Sequence, residues 1–496
     1  MACSFNSLLQ GLKVISGEGL ETKVTGIHYD SRKIRPGDVF VCIKGFRTDG
    51  HYYINDALQR GAVGVVVERD VPIPHGIAWA RLENTRHALA VLAANFYGHP
   101  SRELALFGVT GTNGKTTTTH LIEAVLRAKG QKTGLIGTVW NKIGDEKVAG
   151  NRTTPESLDL QCLLRKMVSA GVKSAVMEVS SHGLALHRVA LCEFDVAVFT
   201  NLTQDHLDFH ASFEEYFASK LLLFTGLDQN RTKKRSCYAV VNADDPAGRE
   251  IIRKVNVPVL TYGLRKGADV VAQDIQMSPT GTTFNLGFAG EKFPFAIALP
   301  GEFNVYNALA AIAVGIQEGL SLPALQKALA QVKRVPGRFE VIDLGQNFTV
   351  VVDYAHTPDG LKKVLETARA LTKGKLIVVF GCGGDRDQEK RPIMGRIAGS
   401  ICDFTFITSD NPRTEDPEKI LAQIEAGIKG VTSAYSVVED RYQAIRSALH
   451  CAQKGDFVVI AGKGHENYQI LKDRTIPFDD RQVVREVLTK EILSNK

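Results

Sequence analysis

The sequence predicts an α/β protein with three domains. At 496 residues the chain is too long for a single hydrophobic core. Short apolar runs alternate with helical stretches through most of its length, which is typical of parallel sheets joined by crossover helices. The alternation falls into three parts, so we expect domains at 1–103, 104–335 and 336–496.

Each part has its own predicted elements. The first alternates short strands such as DVFVCIKG with helices such as RHALAVLAANFYG, which indicates a small α/β module. The second has strands at LALFGVTG, TGLIGTV, KSAVMEVS, DVAVFTNL and YAVVNADD, which predict a parallel sheet. The third repeats the pattern from TVVVDYAH to DFVVIAGKGHE and predicts a second, doubly wound Rossmann-like domain.

Composition narrows the function classes. Charged residues make up 23% and apolar residues 44%, as in ordinary globular proteins. The net charge of +6 is spread without a Lys/Arg block, so we expect no nucleic-acid or membrane surface and instead small anionic substrates. The eight cysteines form no C-x-x-C pair, and no signal segment or long apolar stretch occurs. We therefore expect free thiols and a cytoplasmic protein.

A glycine-rich loop follows the first strand of the second part, in LALFGVTGTNGKTTTTH. Gly111 and Gly114 let backbone N–H groups close around phosphate, Lys115 supplies positive charge, and the Thr116 hydroxyl can reach magnesium. The strict phosphate-loop pattern has glycine where this chain has Val109. The loop still predicts a nucleoside triphosphate site.

Polar residues follow the next strands. Glu178, Ser180 and His182 end one strand, and Asp205 and His206 follow another. Ligands gather beyond the carboxyl ends of strands in such sheets. A carboxylate and an imidazole beside a phosphate loop can hold one or two magnesium ions against the nucleotide.

Lys220 lies in the helical segment SFEEYFASKLLLF, which has a capping box and an apolar stripe formed by Phe213, Phe217, Leu221 and Phe224. It falls between the stripe and the solvent side. Spacing alone therefore predicts a surface lysine whose stem covers apolar neighbours while its amine stays in water.

The third part has three polar strand ends, in GCGGDRDQEKRP, SDNPRTEDP and GKGHE. They carry Arg386, Lys390, Arg391, Asp410, Asn411, Arg413, Lys463, His465 and Glu466. An arginine fork suits a carboxylate, and acidic neighbours suit an amine, so together they predict a zwitterionic, amino-acid-like ligand. The alternative is a charged rim that only closes over the nucleotide.

These motifs resemble the Mur ligases of peptidoglycan synthesis. The resemblance is carried end to end by GTNGKTTT, TTPE, EVSSH, TNLTQDHLDFH, EYFASKLLLF, GEFNVYN, PGRFE, DYAHTPD, GCGGDRD and GKGHE. In the first domain, YDSRKIRPGDVFVCIKGFRTDGH resembles the uridine-nucleotide module of the member that adds the third peptide residue. The family shares the shifted glycine pattern at Val109.

The resemblance implies a role for each matching residue. The residues implied for ATP binding are Thr110, Gly111, Thr112, Asn113, Gly114, Lys115, Thr116, Asn304, Asn307, Arg338 and Asp353. The residues implied for Mg²⁺ binding are Thr116, Glu178, His206 and Lys220, the last as a carbamate formed from CO₂. The implied catalytic residues are Lys115, Lys220, Glu178 and His206. The residues implied for UDP-N-acetylmuramoyl-L-alanyl-D-glutamate binding are Ser31, Thr153, Thr154, Ser180 and Arg188. Some members carry a contacting glutamine where this chain has Leu186.

The resemblance also implies the reaction. A substrate carboxylate would be phosphorylated by ATP, and an amine would then attack the acyl phosphate. DNPR resembles the signature of members that add meso-diaminopimelate, for which the implied residues are Arg386, Asp410, Asn411, Pro412, Arg413, Gly462 and Glu466. The lysine-adding ligase is the alternative, followed by a P-loop switch without ligase activity and a folate-polyglutamate ligase. A monomer is the expected state.

Overall fold

The computed structural model describes residues 2–46, 48–148, 150, 152–206, 208–229 and 231–494. Its strands form three large sheets and two small pairs. The elements of the N-terminal part are β1 (Cys3–Ser4), α1 (Phe5–Leu8), β2 (Ser16–Glu18), β3 (Lys23–Val24), β4 (Gly26–His28), β5 (Asp38–Val41), α2 (Ile54–Gln59), β6 (Gly64–Val67), β7 (Ala78–Arg81) and α3 (Thr85–Tyr97).

The N-terminal sheet has the order β2-β7-β6-β5-β4, and only β2 runs antiparallel to its neighbour. Its side chains alternate between two cores. Val39 and Val41 face α1 and α3, whereas Phe40 faces α2. Because both faces of the sheet are covered, these strands appear in the sequence as short continuous apolar runs.

The central part contains β8 (Ala105–Thr110), α4 (Lys115–Arg127), β9 (Thr133–Ile136), β10 (Asn141–Ile143), β11 (Glu146–Val148), α5 (Ser157–Ser169), β12 (Ser174–Glu178), α6 (Ser181–Ala185), β13 (Val196–Phe199), α7 (Phe213–Thr225), β14 (Tyr238–Asn242), α8 (Pro246–Lys254), β15 (Val259–Gly263), β16 (Val270–Ser278), β17 (Gly281–Phe288), β18 (Glu291–Ile297), α9 (Glu302–Gln317) and α10 (Leu322–Ala330). These strands form one sheet in the order β11-β10-β9-β12-β8-β13-β14-β15-β16-β17-β18.

The central strands of this sheet are parallel, as predicted, but the strands at its two edges are antiparallel. Strands β9 to β11 pair antiparallel at one edge, and β16 to β18 pair antiparallel at the other. Helices cover both faces: Phe107 and Val109 pack in the core formed with α4 and α9, and Leu106 packs in the core formed with α5 and α7.

The C-terminal part contains β19 (Glu340–Ile342), β20 (Thr349–Asp353), α11 (Pro358–Leu371), β21 (Leu376–Phe380), α12 (Lys390–Ile401), β22 (Phe404–Ile407), α13 (Pro417–Ile428), β23 (Tyr435–Val437), α14 (Arg441–Cys451), β24 (Phe457–Ala461), β25 (Tyr468–Ile470), β26 (Thr475–Pro477) and α15 (Asp480–Val487). The sheet order is β19-β20-β24-β21-β22-β23, parallel except at β19. Helices α11 to α13 cover one face, and α14 and α15 cover the other.

The predicted three-part α/β fold is confirmed, with a separate sheet in each part. We propose domain boundaries at the predicted divisions, 1–103, 104–335 and 336–496. All eight cysteines are free. Among the described residues, no helix has the length and apolarity that a membrane crossing requires.

Candidate functional site

The glycine-rich loop connects β8, at the centre of the large sheet, to α4. Gly114 has a φ of +86° and precedes the first helical residue, Lys115. Lys115 Nζ donates to the carbonyls of Gly111 at 2.9 Å and Thr112 at 2.8 Å. Burial lowers the pKa of Lys115, while Glu178 and other charges modulate it. The loop therefore holds a buried amine over the start of a helix, where the helix dipole also favours an anion.

A cavity of about 690 Å³ opens beside this loop, between the central and C-terminal sheets. Of the residues predicted for ATP, it is lined by Thr112, Asn113, Gly114, Lys115, Thr116, Asn307, Arg338 and Asp353. Thr110, Gly111 and Asn304 lie outside the lining. Asn304 is buried, donates to Pro300 O at 2.7 Å and accepts from Asn307 Nδ2 at 3.1 Å, so it supports Asn307.

The C-terminal part contributes Arg338 and Asp353. Arg338 Nη2 donates to Thr116 Oγ1 at 2.9 Å, and its guanidinium lies 4.5 Å from the centre of the Tyr354 ring. Asp353 accepts backbone N–H bonds from Phe339 and Ala355 at 2.6 and 2.7 Å. Burial raises the pKa of Asp353 against the opposing charge of Arg338. These contacts fix both side chains at the cavity wall.

Glu178 is the centre of a hydroxyl cluster at the end of β12, and it is only 1% exposed. Its Oε2 accepts from Thr116 Oγ1 and from Thr138 Oγ1, both at 3.0 Å, and its Oε1 accepts from Thr138 N at 2.8 Å. Thr138 also contacts Thr153 Oγ1 at 2.9 Å. Sequence reasoning missed Thr138, although its place after the strand TGLI could have indicated it.

Three more of the predicted substrate residues adjoin this cluster. Thr154 Oγ1 donates to Glu178 O and accepts from Ser180 N, both at 3.0 Å. Arg188 is buried, donates to Thr154 O at 3.2 Å and lies 2.9 Å from Glu156 Oε1. The structure therefore brings Thr153, Thr154, Ser180 and Arg188 together.

Two other predicted positions lie apart from that cluster. Ser31 is buried in a short 3₁₀ turn of the N-terminal part, where its side chain hydrogen-bonds with Asp56. Leu186 ends α6, where its backbone N–H caps the helix.

His206 and Asp205 follow β13. His206 Nε2 lies 3.4 Å from Asp205 Oδ2, and its ring contacts His182 at a centroid distance of 4.8 Å. Burial lowers the pKa of His206 to about 3. The charge of Asp205 opposes this shift, whereas His182, Lys115 and Lys220 lower the pKa further. The imidazole is therefore neutral near pH 7, which is the form that binds metals.

Lys220 is buried, so the predicted surface position is wrong. It is 1% exposed, its Nζ donates to Gly111 O at 3.0 Å, and it lies 4.4 Å from the centre of the Tyr216 ring. The buried face of α7 contains Tyr216 and Lys220, whereas Phe213 from the predicted stripe is 41% exposed. The phosphate loop covers the side of α7 that spacing assigned to solvent.

Lys115 and Lys220 direct both of their amines at the same carbonyl, Gly111 O. Burial, followed by the positive charge of Lys115, holds the pKa of Lys220 well below its ordinary value. This environment therefore favours the unprotonated form of the Lys220 amine. The unprotonated amine is the nucleophilic form, which fits attack on CO₂.

In the described part of the chain, no three His, Cys, Asp or Glu side chains come together as a metal site. The predicted Mg²⁺ set instead combines the Thr116 hydroxyl, the Glu178 carboxylate and the neutral His206, with Lys220 as a carbamate. Thr116 and Glu178 are within 3.0 Å of each other. Hydroxyl and carboxylate oxygens are suitable Mg²⁺ ligands, so the residues fit the ion.

A second polar cluster lies at the carboxyl end of the C-terminal sheet. Asn411 Nδ2 donates to Glu466 Oε2 at 2.9 Å. The fully buried Lys463 donates to Asn411 Oδ1 at 3.2 Å and to Glu466 Oε2 at 3.0 Å. Asp410 and Pro412 are buried beside them, and the left-handed Gly462 adjoins Asp410.

The predicted cations of this part divide into two groups. Arg413 donates to Gly384 O at 2.7 Å and is half-buried, and Arg386 is exposed. Arg391 is fully buried and makes two 2.9 Å bonds to Glu415. Lys390 donates to His356 O at 2.9 Å. Arg391 and Lys390 therefore stabilise the loops, and the expectation that they face a ligand is wrong.

Three features together define a class of P-loop enzyme. They are a phosphate loop, a carboxylate-hydroxyl cluster beside it, and a second α/β domain that reaches the same cavity. The Mur ligase middle domain matches residues 109–315, the Mur ligase glutamate ligase domain matches 337–464, and the Mur ligase catalytic domain matches 23–97. The chain belongs to the Mur ligase family.

Its relatives match it along nearly the whole length. The UDP-N-acetylmuramoyl-L-alanyl-D-glutamate–2,6-diaminopimelate ligase of Syntrophomonas wolfei is 47% identical, covering 98% of this chain and 99% of that protein. The ligase of the same name from Geobacillus thermodenitrificans is 50% identical, with coverages of 93% and 94%. A solved structure of such a ligase is 34% identical, with a TM-score of 0.68 and 99% of each chain covered.

Proposed function

We propose that the protein is an ATP-dependent amide ligase of peptidoglycan precursor synthesis. It adds meso-diaminopimelate to UDP-N-acetylmuramoyl-L-alanyl-D-glutamate, with ADP and phosphate as the other products. One observation carries the proposal: a single cavity joins the phosphate loop to residues of the C-terminal part, in a chain whose full-length relatives bear that activity in their names.

The reaction has two steps. A D-glutamyl carboxylate oxygen attacks the γ-phosphorus of ATP, the bond to the β-phosphate oxygen breaks, and ADP leaves. The amine of diaminopimelate then attacks the acyl carbon, phosphate leaves, and the amine loses a proton as the amide forms. Lys115 stabilises negative charge on the transferred phosphoryl group. Thr116, Glu178 and His206 would hold Mg²⁺, which would supply further neutralisation of the phosphate charge.

The remaining assignments follow the clusters. Thr153, Thr154, Ser180 and Arg188 bind the peptide end of the UDP-linked substrate, because they adjoin Glu178 next to the phosphate loop. Ser31, in the N-terminal part, binds its uridine end. Asn307, Arg338 and Asp353 contact the ATP base and ribose at the cavity wall, and Asn304 acts by holding Asn307.

We propose that Lys220 is carbamylated. The neutral amine attacks CO₂, the new N–C bond forms, and a proton is released. The product is a carboxylate on a long arm close to Lys115, since the two amines bond to the same carbonyl, Gly111 O. Carbamylation replaces an amine that repels Mg²⁺ when it is protonated by a carboxylate that binds the ion.

The choice of amine depends on Arg413. Diaminopimelate has a second carboxylate that lysine lacks, and an arginine fork can bind a carboxylate with two parallel hydrogen bonds. Arg413 Nη1 donates to Gly384 O at 2.7 Å and to Asn411 O at 3.5 Å, which orients the guanidinium beside Asn411. These contacts support diaminopimelate over lysine as the substrate.

Steady-state assays with diaminopimelate and with lysine test the proposal. We expect turnover only with diaminopimelate, and we expect Arg413→Lys to raise KM for diaminopimelate at least tenfold, since hydrogen bonds to a charged group contribute about 1.5–3 kcal/mol. An exposed-lysine control, Lys166→Ala, should leave both constants unchanged. A preference for lysine would contradict the substrate assignment, and ATP turnover without the UDP-linked peptide would favour a nucleotide switch.

A further inference from the structure

A buried ion pair lies beneath the proposed amino-acid site. Arg441 begins α14 and Asp480 begins α15, and both side chains are completely shielded from solvent. Arg441 Nε lies 2.8 Å from Asp480 Oδ1, and Nη2 lies 2.7 Å from Oδ2. The pair is therefore bidentate, and it joins the first turns of two helices on the same face of the C-terminal sheet.

The remaining guanidinium donors reach two strand ends. Arg441 Nη2 donates to Ala461 O at 2.9 Å, and Nη1 donates to Ser409 O at 3.3 Å. Ala461 directly precedes Gly462, and Ser409 directly precedes Asp410. One side chain thus bonds to the backbone at the root of two of the loops that form the proposed site for diaminopimelate.

The charge of Arg441 also acts on those loops. Burial lowers its pKa, but the carboxylates of Asp480, Asp410 and Glu466 outweigh burial, so that the pKa is raised overall. Two of these three carboxylates belong to the amino-acid site. Buried ion pairs add little net stability compared with apolar side chains of the same size, so stability alone does not account for this one.

We propose that Arg441 and Asp480 are positioning residues for the amino-acid site. The inference rests on the proposed function and deepens it. The pair sets the separation of the 409–413 and 462–466 loops, and through it the spacing of the groups that bind the two ends of diaminopimelate. A misplacement of about 1 Å can lower a rate by about 100-fold, so a fixed spacing matters to the reaction.

Arg441→Lys tests the proposal, because lysine keeps the charge but lacks the fork that joins Asp480 to two carbonyls. Asp480→Asn keeps the size of the partner and gives the same test if Arg441→Lys does not fold. The control is Arg369→Lys. Arg369 is partly exposed and bonds to Ile401 O and Asp403 Oδ2, both at 2.7 Å, at the opposite, amino end of the strands of the same sheet.

We expect Arg441→Lys to raise KM for diaminopimelate at least tenfold while KM for ATP stays within twofold, and Arg369→Lys to change neither. A purely structural role would lower the active fraction, and hence kcat, without moving that KM. An unchanged KM for diaminopimelate, or a parallel rise in KM for ATP, would overturn the proposal.

Hydrogen exchange separates this inference from the proposed function, because it needs no substrate. The backbone amides of Asp410, Asn411, Arg413 and residues 462–466 should exchange faster in Arg441→Lys than in the unaltered protein, whereas exchange in β21 should not change. If both loops exchange at the same rate in Arg441→Lys as in the unaltered protein, the positioning role is overturned. Failure of the unaltered protein to use diaminopimelate would instead overturn the proposed function and leave the exchange result standing.

Discussion

At the residue scale, Lys220 shows where sequence reasoning reaches its limit. Helical spacing identifies which residues share a face, but it does not say which other segment covers that face. The loop at Gly111 comes from a strand more than a hundred residues earlier, and it turns an expected surface lysine into a buried amine. Only the resemblance to Mur ligases indicated the functional role.

Lys220→Ala should lower kcat by about 100-fold or more, since it removes a group that we propose acts on the charge of the reacting phosphate. The matched control is Lys254→Ala. Lys220 and Lys254 lie over neighbouring rings of α7, Tyr216 at 4.4 Å and Phe217 at 5.8 Å, but Lys254 is exposed. Steady-state assays with and without added bicarbonate measure the effect. Full activity of Lys220→Ala would refute the carbamate.

Arg391 and Arg413 make the same point for the amino-acid site. Both are arginines that follow strand ends in glycine- or proline-containing loops, so the sequence predicted a ligand-facing role for each. Arg391 is instead fully buried against Glu415, which lies 24 residues further along the chain. Whether an arginine pairs internally depends on tertiary contacts that local sequence does not contain.

At the scale of elements, strands buried on both faces were predictable and half-exposed strands were not. The five strands predicted for the central part read as continuous apolar runs, and they correspond to β8, β9, β12, β13 and β14. Strands β16 to β18 carry polar residues on one side, such as Gln273 and Gln276, which shortens every apolar run. Their hairpin turn at Ala289 and Gly290, both with positive φ, was the signal that could have located them.

The strand–loop–helix unit β8–α4 gives a second prediction. Gly114→Ala should raise KM for ATP at least tenfold, because a Cβ there would meet the side-chain oxygen of Asn307 and strain the left-handed backbone. Gly130→Ala is the control, since Gly130 has a similar φ of +74° but open space around it. Equal ATP constants in the two variants would contradict this account of the loop.

At the scale of the whole molecule, the phosphate loop joins two domains. Asn113 Nδ2 donates to Asp359 Oδ2 at 2.9 Å, and Arg338 donates to Thr116 at 2.9 Å. Neither contact was predictable, because each joins residues more than two hundred positions apart. The C-terminal sheet therefore approaches the proposed nucleotide site directly, as an enzyme that transfers an acyl group from an acyl phosphate to an amine requires.

His356 lies in the wall of the cavity between these sheets and gives a pH prediction. Burial, with Lys390 nearby, lowers the pKa of His356 from 6.5 to about 4. Between those two values the unfolded chain binds more protons than the folded one, so the free energy of unfolding should fall as pH is lowered through this window.

His356→Asn should make that pH dependence shallower, since asparagine does not titrate but can still donate to Tyr354 O as His356 Nδ1 does at 2.9 Å. Urea unfolding at several pH values between 4 and 6.5 measures the slope for both proteins. Identical slopes would contradict the proposed contribution of His356.

The position of β8 in the large sheet has a consequence for biosynthesis. Its two hydrogen-bonding neighbours are β12 and β13, so the strand that presents Thr110 and the phosphate loop lacks its second partner until the chain through Phe199 has left the ribosome. At about 5–20 residues per second, the nascent chain waits roughly 5–20 s between making that loop and being able to bind a nucleotide with it. Nascent chains truncated before Phe199 should not be retained on an immobilised ATP analogue.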